Sequence, residues 1–568
     1  MTKPVIEFKD FTFRYKSQQE PTLHNINLTI NQGEKVLILG PSGSGKSTLG
    51  CCINGLIPFS YPGEIKGSCK VVGIETHNAN IFTISKHVGT VQQDTDAQFV
   101  GLSVGEDIAF SLENSVTPRD IMLEKVEIAA KTVGMDKFLA SVPYNLSGGQ
   151  KQKVALAGIL HDEEEILLFD EPLAALDPAM GMSAVDLIDK IYREQNKTIV
   201  IIEHRLEDVL YRHVDRIILM NEGKIIMDTT PDELLCSDLL KQSGIREPLY
   251  ISALKNAGVT FEKNEHLDCI DELDIAKYKP YVQKQFQNVN HVSTVNKGEK
   301  LIEVDHVDFY YGDFQALKDI SFDIHRGEKI SIVGKNGAGK TTNAKLMSGI
   351  IRPTNGEVRI KGENYKALSI REVGRLIGYV MQNPNQMLVK DMIRDEIELA
   401  LKLNKYDQEY INERVEMTLK MTGLYAMRNW PVSVLSYGQR KRVTIASILA
   451  LAPDVIILDE PTAGQDYHHY TEIMSFIEEL NEKYNITILF ITHDMHLAIE
   501  YTDRSIVFAD GECIADDLVY KVLSNDEIIS RANLKQTSLV HLANACGIDP
   551  EEYIHHFIET EREVRKNG

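Results

Sequence analysis

The chain has 568 residues, 43% hydrophobic and 25% charged, a balance typical of soluble globular proteins and a length too great for one core. Its formal charge of −22, from 61 basic and 83 acidic residues, argues against a nucleic-acid partner, because phosphate backbones are gripped by clustered Lys and Arg. The seven cysteines form no CxxC pair and no regular spacing, which suits a reducing cytosol and small apolar packing roles.

The opening stretch Met1–Asp10 mixes charged and apolar residues, so no secretory leader is expected. Alternation in Val5-Ile6-Glu7-Phe8 predicts an antiparallel strand. Val36–Leu39 is a short apolar run, as are Ile166–Phe169, Ile199–Ile202 and Ile488–Ile491. Such runs fit buried parallel strands and fall far short of the roughly 20 apolar residues a membrane-spanning helix needs.

Directly after Val36–Leu39 comes Gly40-Pro41-Ser42-Gly43-Ser44-Gly45-Lys46-Ser47-Thr48, which opens an apolar helix over Leu49–Leu56. This is the GxxxxGK[ST] phosphate loop. Glycines let backbone N–H groups turn toward phosphates, and the helix N-terminus adds partial positive charge. Lys46 is expected to reach the β and γ phosphates of ATP, and Ser47 to coordinate Mg²⁺. Further on, Ile166–Phe169 runs into Asp170-Glu171-Pro172. A carboxylate ending a buried strand beside the loop suits the metal, and the next one suits general-base work on water. Asp170 and Glu171 receive those two roles.

The whole arrangement then recurs. FKDFTFRYKSQQEPTLHNINLTINQGEKVLILGPSGSGKST is echoed by VDHVDFYYGDFQALKDISFDIHRGEKISIVGKNGAGKTT. Six later pairs lie 289 residues apart: Gln93/Gln382, Ser147/Ser436, Asp170/Asp459, Glu171/Glu460, Asp177/Asp466 and His204/His493. The period is a whole domain, so the chain holds two copies of one fold and is not a solenoid. The second phosphate loop is Gly334-Lys335-Asn336-Gly337-Ala338-Gly339-Lys340-Thr341-Thr342, and Val455–Leu458 leads into Asp459-Glu460-Pro461. Lys340, Thr341, Asp459 and Glu460 take the same parts as their counterparts. The predicted fold is α/β: two P-loop NTPase domains, each with a parallel core sheet, an antiparallel β portion and a helical insert. Expected boundaries are 1–240 and 301–524 for the ATP-binding domains, 241–300 for a helical segment and linker, and 525–568 for a helical tail. Within the third of these, Tyr278–Lys300 reads as an extended linker. His468-His469 and His555-His556 lack a matching carboxylate or Cys pattern and read as structural.

Leu146-Ser147-Gly148-Gly149-Gln150 resembles the signature motif of the ATP-binding-cassette family, and Leu435-Ser436-Tyr437-Gly438-Gln439 is its second copy. The resemblance implies a head-to-tail sandwich of the two halves, in which each signature helix faces the γ-phosphate held by the other half. Ser147, Gly149 and Gln150 would complete the site of Lys340, and Ser436, Gly438 and Gln439 that of Lys46. By the same resemblance, Gln93 and Gln382 touch Mg²⁺ as Q-loop residues, and Asp177 and Asp466 sit in the D-loops. His204 and His493 are the switch histidines, while Tyr15 and Tyr311 stack on adenine. Tyr437 departs from the consensus; its ring either crowds the nucleotide or packs on a neighbouring helix.

In finer detail the chain resembles the fused ATPase of energy-coupling-factor importers. That likeness lies in the Q-loop stretches Gln93–Gly101 and Gln382-Asn383-Pro384-Asn385-Gln386, in Glu203-His204-Arg205-Leu206-Glu207, and in the tail segments Leu534–Leu539 and Gly547–Pro550. It implies a transmembrane coupling subunit and a small substrate-binding membrane subunit as partners, with this chain peripheral on the cytoplasmic face of the membrane. A twin-cassette factor acting on the ribosome is the competing expectation; it calls for a basic helical linker, which Asp232–Lys300 is not.

Overall fold

A computed structural model describes residues 3–93, 98–160, 164–174, 176–262, 265–287, 298–462 and 467–567, with side chains through 564. The chain divides into two compact units, Met1–Tyr278 and Lys279–Gly568. Asp466, the first Q-loop residues Asp94, Thr95, Asp96 and Ala97, and residues 288–297 of the expected linker lie outside the described residues.

The first unit contains β1 (Pro4–Tyr15), β2 (Leu23–Asn31), β3 (Lys35–Leu39), β4 (Gly63–Val71), β5 (Ile74–Glu75), β6 (Val88–Val91), β7 (Ile166–Asp170), β8 (Thr198–Glu203), β9 (Arg216–Asn221) and β10 (Lys224–Thr229). They form an antiparallel sheet in the order β2-β1-β4-β5 and a six-stranded sheet in the order β10-β9-β3-β8-β7-β6. All pairs in the larger sheet are parallel except β9 with β10. The strands of this sheet's centre are buried along their length, which is why β3 and β8 read as unbroken apolar runs. In β1 buried positions are interspersed with exposed ones, because one face lies on the core and the other meets solvent.

The second unit repeats this plan with β11 (Lys300–Tyr311), β12 (Phe314–His325), β13 (Lys329–Gly334), β14 (Asn355–Ile360), β15 (Glu363–Asn364), β16 (Ile377–Val380), β17 (Val455–Asp459), β18 (Thr487–Ile491), β19 (Arg504–Ala509) and β20 (Glu512–Leu518). The orders β12-β11-β14-β15 and β16-β17-β18-β13-β19-β20 are those of the first unit. Between β16 and β17 stand helices Ile393–Leu403, Gln408–Met421 and Tyr437–Leu449. They bury Ile393, Ile397, Val415, Leu419 and Val443 in a core of their own. Val104–Asn114, Arg119–Val133 and Gly148–Leu160 are their counterparts between β6 and β7. The α/β class with antiparallel and helical additions is therefore as the sequence predicts.

The stretch read as an extended linker differs at its start. Ile275–Phe286 is a helix, and it buries Ile275, Tyr278 and Val282, which share one face at helical spacing. Lys, Gln and an internal Pro280 mask that face in the sequence. Beyond the second sheet, helices Val519–Ser524, Asp526–Arg531, Ser538–Cys546 and Pro550–Asn567 close the chain. Among the described residues, no helix is long and apolar enough to cross a membrane.

Candidate active site: two phosphate loops and their carboxylates

Each phosphate loop leaves the end of a central strand, β3 or β13, and enters a helix, Lys46–Ile53 or Lys340–Met347. The last loop glycines, Gly45 and Gly339, take φ of +96° and +102°, a left-handed geometry that favours glycine. The Lys46 ammonium donates to the carbonyls of Gly40 and Pro41 at 2.7 and 2.9 Å. Lys340 does the same to Gly334 and Lys335 at 2.7 and 2.9 Å. Both lysines are buried, so each loop wraps its own cation. Gly334 carries φ +141°, and a Cβ there would meet the Phe508 carbonyl oxygen. Gly334→Ala is therefore expected to distort this loop alone and to halve the nucleotide bound at saturation, as measured by equilibrium dialysis. Unchanged stoichiometry would show that the close approach is dispensable.

Thr48 and Tyr15 meet at the first loop. The Tyr15 hydroxyl lies 3.1 Å from Thr48 Oγ1, and its ring packs edge-on against Phe13. Tyr311 packs likewise on Phe309 and is 47% exposed. The Ser47 hydroxyl donates to Asp170 Oδ1 at 3.1 Å, and Thr341 to Asp459 Oδ2 at 3.3 Å. These hydroxyl and carboxylate pairs are hard oxygen donors, the chemistry that fits Mg²⁺. Burial pushes the Asp170 carboxyl up to about 6 and raises that of Asp459, since both lose hydration of the charged form.

Glu171 and Glu460 follow with φ of 48° and 44°, a region a non-glycine residue enters only when its surroundings hold it there. The neighbouring strands do so: the N–H of Glu171 donates to Ile202 O and that of Glu460 to Ile491 O, both at 2.9 Å. The kink aims each carboxylate at its histidine. His493 Nδ1 is 2.7 Å from Glu460 Oε1, whereas His204 Nδ1 is 3.8 Å from Glu171 Oε1 and 3.5 Å from Glu203 Oε2. Gln93 Nε2 donates to Glu171 Oε2 at 2.5 Å, so in this conformation Gln93 holds the carboxylate expected to act as base, not the metal carboxylate.

The two halves differ around these shared parts in ways the motifs do not announce. Glu203 is fully buried and accepts from the N–H groups of Leu173, His204 and Arg205. Its counterpart at the 289-residue offset is Thr492, whose hydroxyl lies 3.5 Å from Glu460. The Tyr379 hydroxyl donates to Asp459 Oδ2 at 2.7 Å, where the first half has Thr90. Lys441, fully buried, stands where the first half has Gln152. Burial lowers its pKa to about 8, against the raising pull of Asp459 and Glu460. Comparing the copies position by position, rather than for shared motifs, is the signal that finds these residues.

The signature stretches begin helices Gly148–Leu160 and Tyr437–Leu449. Gln150 N–H donates to Ser147 Oγ while Gln150 Oε1 accepts from Ser147 N–H, at 3.4 and 3.0 Å. Ser436 and Gln439 repeat the exchange at 3.3 and 3.0 Å. The S-x-x-Q spacing is thus a capping box, and it presents the helix N-terminus with Gly149 or Gly438 in its first turn. Tyr437 resolves toward its own half: its hydroxyl donates to the Gln382 carbonyl at 3.2 Å. Asp177 caps helix Pro178–Gln195 through Met180 N–H; its counterpart Asp466 lies outside the described residues.

The ABC transporter family profile matches residues 23–174 and 317–463, and a profile described as ATP-binding cassette cobalt transporter matches 237–309. A "Putative ABC transporter ATP-binding protein" of Clostridium perfringens is 53% identical over 565 residues, 99% of each chain. One of Enterococcus faecalis is 52% identical over 568 residues, 100% of each. The solved structure of cbiO1 from Clostridium perfringens, part of the ABC transporter complex cbiONQ, is 33% identical over 43% of this chain and 99% of that one, with a TM-score of 0.39. With two phosphate loops, two Asp-Glu pairs and two signature helices, this chain belongs to the ABC transporter family as a two-domain ATP-binding protein and ATPase.

Proposed function

We propose that the chain energises a multi-subunit membrane importer of the energy-coupling-factor type, taking up a vitamin, metal ion or related micronutrient. ATP would be hydrolysed at two composite sites, each formed by the phosphate loop of one half and the signature helix of the other. What carries the reading is the duplication: both halves hold a loop lysine, an Asp-Glu pair in the same strained geometry and a histidine against the Glu. The cobalt-transporter match over residues 237–309 supports the importer branch.

Ser47 and Asp170 would hold Mg²⁺ in one site, and Thr341 and Asp459 in the other, with Gln93 and Gln382 approaching as the sites close. Bound there, the ion offsets phosphate charge. The side chains do the rest. Lys46 and Lys340 exchange their loop carbonyls for phosphate oxygens, and the loop N–H groups orient the γ-phosphate. Glu171 and Glu460 orient water and accept its proton, and His204 and His493, as switch histidines, contact the γ-phosphate. Ser147 and Ser436, each at a helix N-terminus, face the γ-phosphate across the sandwich. ATP closes the halves and hydrolysis reopens them, a rigid-body cycle passed to a transmembrane coupling subunit at the Q-loops. A small substrate-binding membrane subunit would set selectivity, and the chain would sit peripherally on the cytoplasmic face.

Affinity-tagged chain purified from detergent-solubilised membranes is expected to bring down integral membrane proteins in fixed ratio. Sedimentation with ribosomes and no membrane partner would overturn the importer reading.

A further inference from the structure

The helix that begins with Ser436 is fastened to the Q-loop of its own half. Lys441 Nζ donates to the carbonyls of Met381 and Gln382 at 3.1 and 2.8 Å. Tyr437 Oη donates to the same Gln382 carbonyl at 3.2 Å, and Arg440 Nη1 to Asn385 Oδ1 at 3.0 Å. An ammonium with no solvent exposure is costly to bury, so its position is narrowly fixed by the groups that satisfy it. Here those groups are two consecutive Q-loop carbonyls, with Asp459 and Glu460 close enough to act on its charge.

The first half is built otherwise at the same register. Gln152 replaces Lys441, and its amide donates to the Pro172 carbonyl, next to Glu171. Beside it is a mainly apolar cavity of about 100 Å³, lined in part by Ser147, Gly149, Gln152, Ala184 and Leu187. In the second half the counterparts of Ala184 and Leu187 are Ile473 and Phe476, both buried. At these described positions a buried cation and larger side chains in one half stand where a neutral amide and a cavity stand in the other.

We propose that Lys441, assisted by Tyr437, is a positioning residue that makes the Ser436 helix tip and the Gln382 loop move as one body. This rests on the composite-site reading, in which Ser436 serves the nucleotide on Lys46 whereas Gln382 serves the one on Lys340. Closure of the signature helix on the first nucleotide then places the Q-loop for hydrolysis of the second. At the position of this cation the first half carries Gln152, whose described partner is the Pro172 carbonyl and not the Q-loop.

The test is site-resolved trapping in the purified transporter complex, with 8-azido-ATP, Mg²⁺ and vanadate, followed by mass spectrometry of the label on each half. Lys441→Gln is expected to cut vanadate-dependent label in the second half by about tenfold, the scale of a slightly misplaced reacting group. Label without vanadate, which reports binding, stays as in the parent. Tyr437→Phe, which removes one exposed hydroxyl, gives a smaller drop in the same half and serves if Lys441→Gln fails to fold. A parent-like ratio between halves in Lys441→Gln, or in Tyr437→Phe if only that variant folds, overturns the proposal. Ser147→Arg runs alongside: if it too leaves the second half trapping normally, the composite-site reading itself has failed; if it abolishes that label, only the fastening has.

Discussion

Replacing both Glu171 and Glu460 by Gln is expected to lower ATP turnover by about 10²-fold or more, the usual contribution of a positioned general base, with nucleotide binding retained. The amide keeps the size and hydrogen-bonding reach of the carboxylate but accepts no proton. Each Glu is held at positive φ by one strand carbonyl, so the substitution leaves the backbone device in place and tests the carboxylate alone. Singly, each variant is expected to lose half of the turnover or more, because both halves carry the full set of groups. The contacts differ in detail: Glu460 meets His493 at 2.7 Å, whereas Glu171 is taken by Gln93 at 2.5 Å and stands 3.8 Å from His204. Should one single variant turn over ATP like the parent while the other is inactive, only one site hydrolyses and the two-site reading fails.

What was legible in the sequence follows from how local each signal is. A phosphate loop is a contiguous stretch whose glycines, lysine and hydroxyl act through the backbone they sit on, so Gly40–Thr48 and Gly334–Thr342 declare themselves. The Asp-Glu pairs are legible because they end unbroken apolar runs, and the duplication because the offset is constant. The capping box of Ser147 with Gln150 is equally local, since S-x-x-Q spans a single helical turn. Other contacts depend on chain segments 59 to 80 residues apart: Lys441 on Gln382 and Tyr379 on Asp459. No local pattern encodes them. Helix Ile275–Phe286 is masked in the sequence for a different reason: its buried face is three residues wide in a run of Lys, Gln and Tyr.

The second large effect is on stability, at the root of the strand that carries the first phosphate loop. Lys35 is fully buried, and its ammonium donates to Asp189 Oδ1 at 3.0 Å. Asp189 Oδ2 is shared with Arg193 Nε at 2.8 Å, and the Tyr192 ring lies 5.8 Å from Lys35 Nζ. Lys35→Met keeps most of the volume and removes the charge, leaving a buried carboxylate with one partner fewer. Breaking such a pair from one side costs about 3 kcal/mol or more. The second half supplies an internal control. Lys329 begins β13 as Lys35 begins β3, but it is partly exposed and lies 3.6 Å from Glu478; Lys329→Met is expected to cost under about 1 kcal/mol. Hydrogen exchange by mass spectrometry on the full chain reads both sites without requiring two-state unfolding. Amides of β3 and β8 are expected to exchange about a hundredfold faster in Lys35→Met, the equivalent of roughly 3 kcal/mol, while β13 and β18 in Lys329→Met shift by a few-fold. Equal shifts in the two variants would mean that burial of the Lys35 pair does not set the strength of this strand.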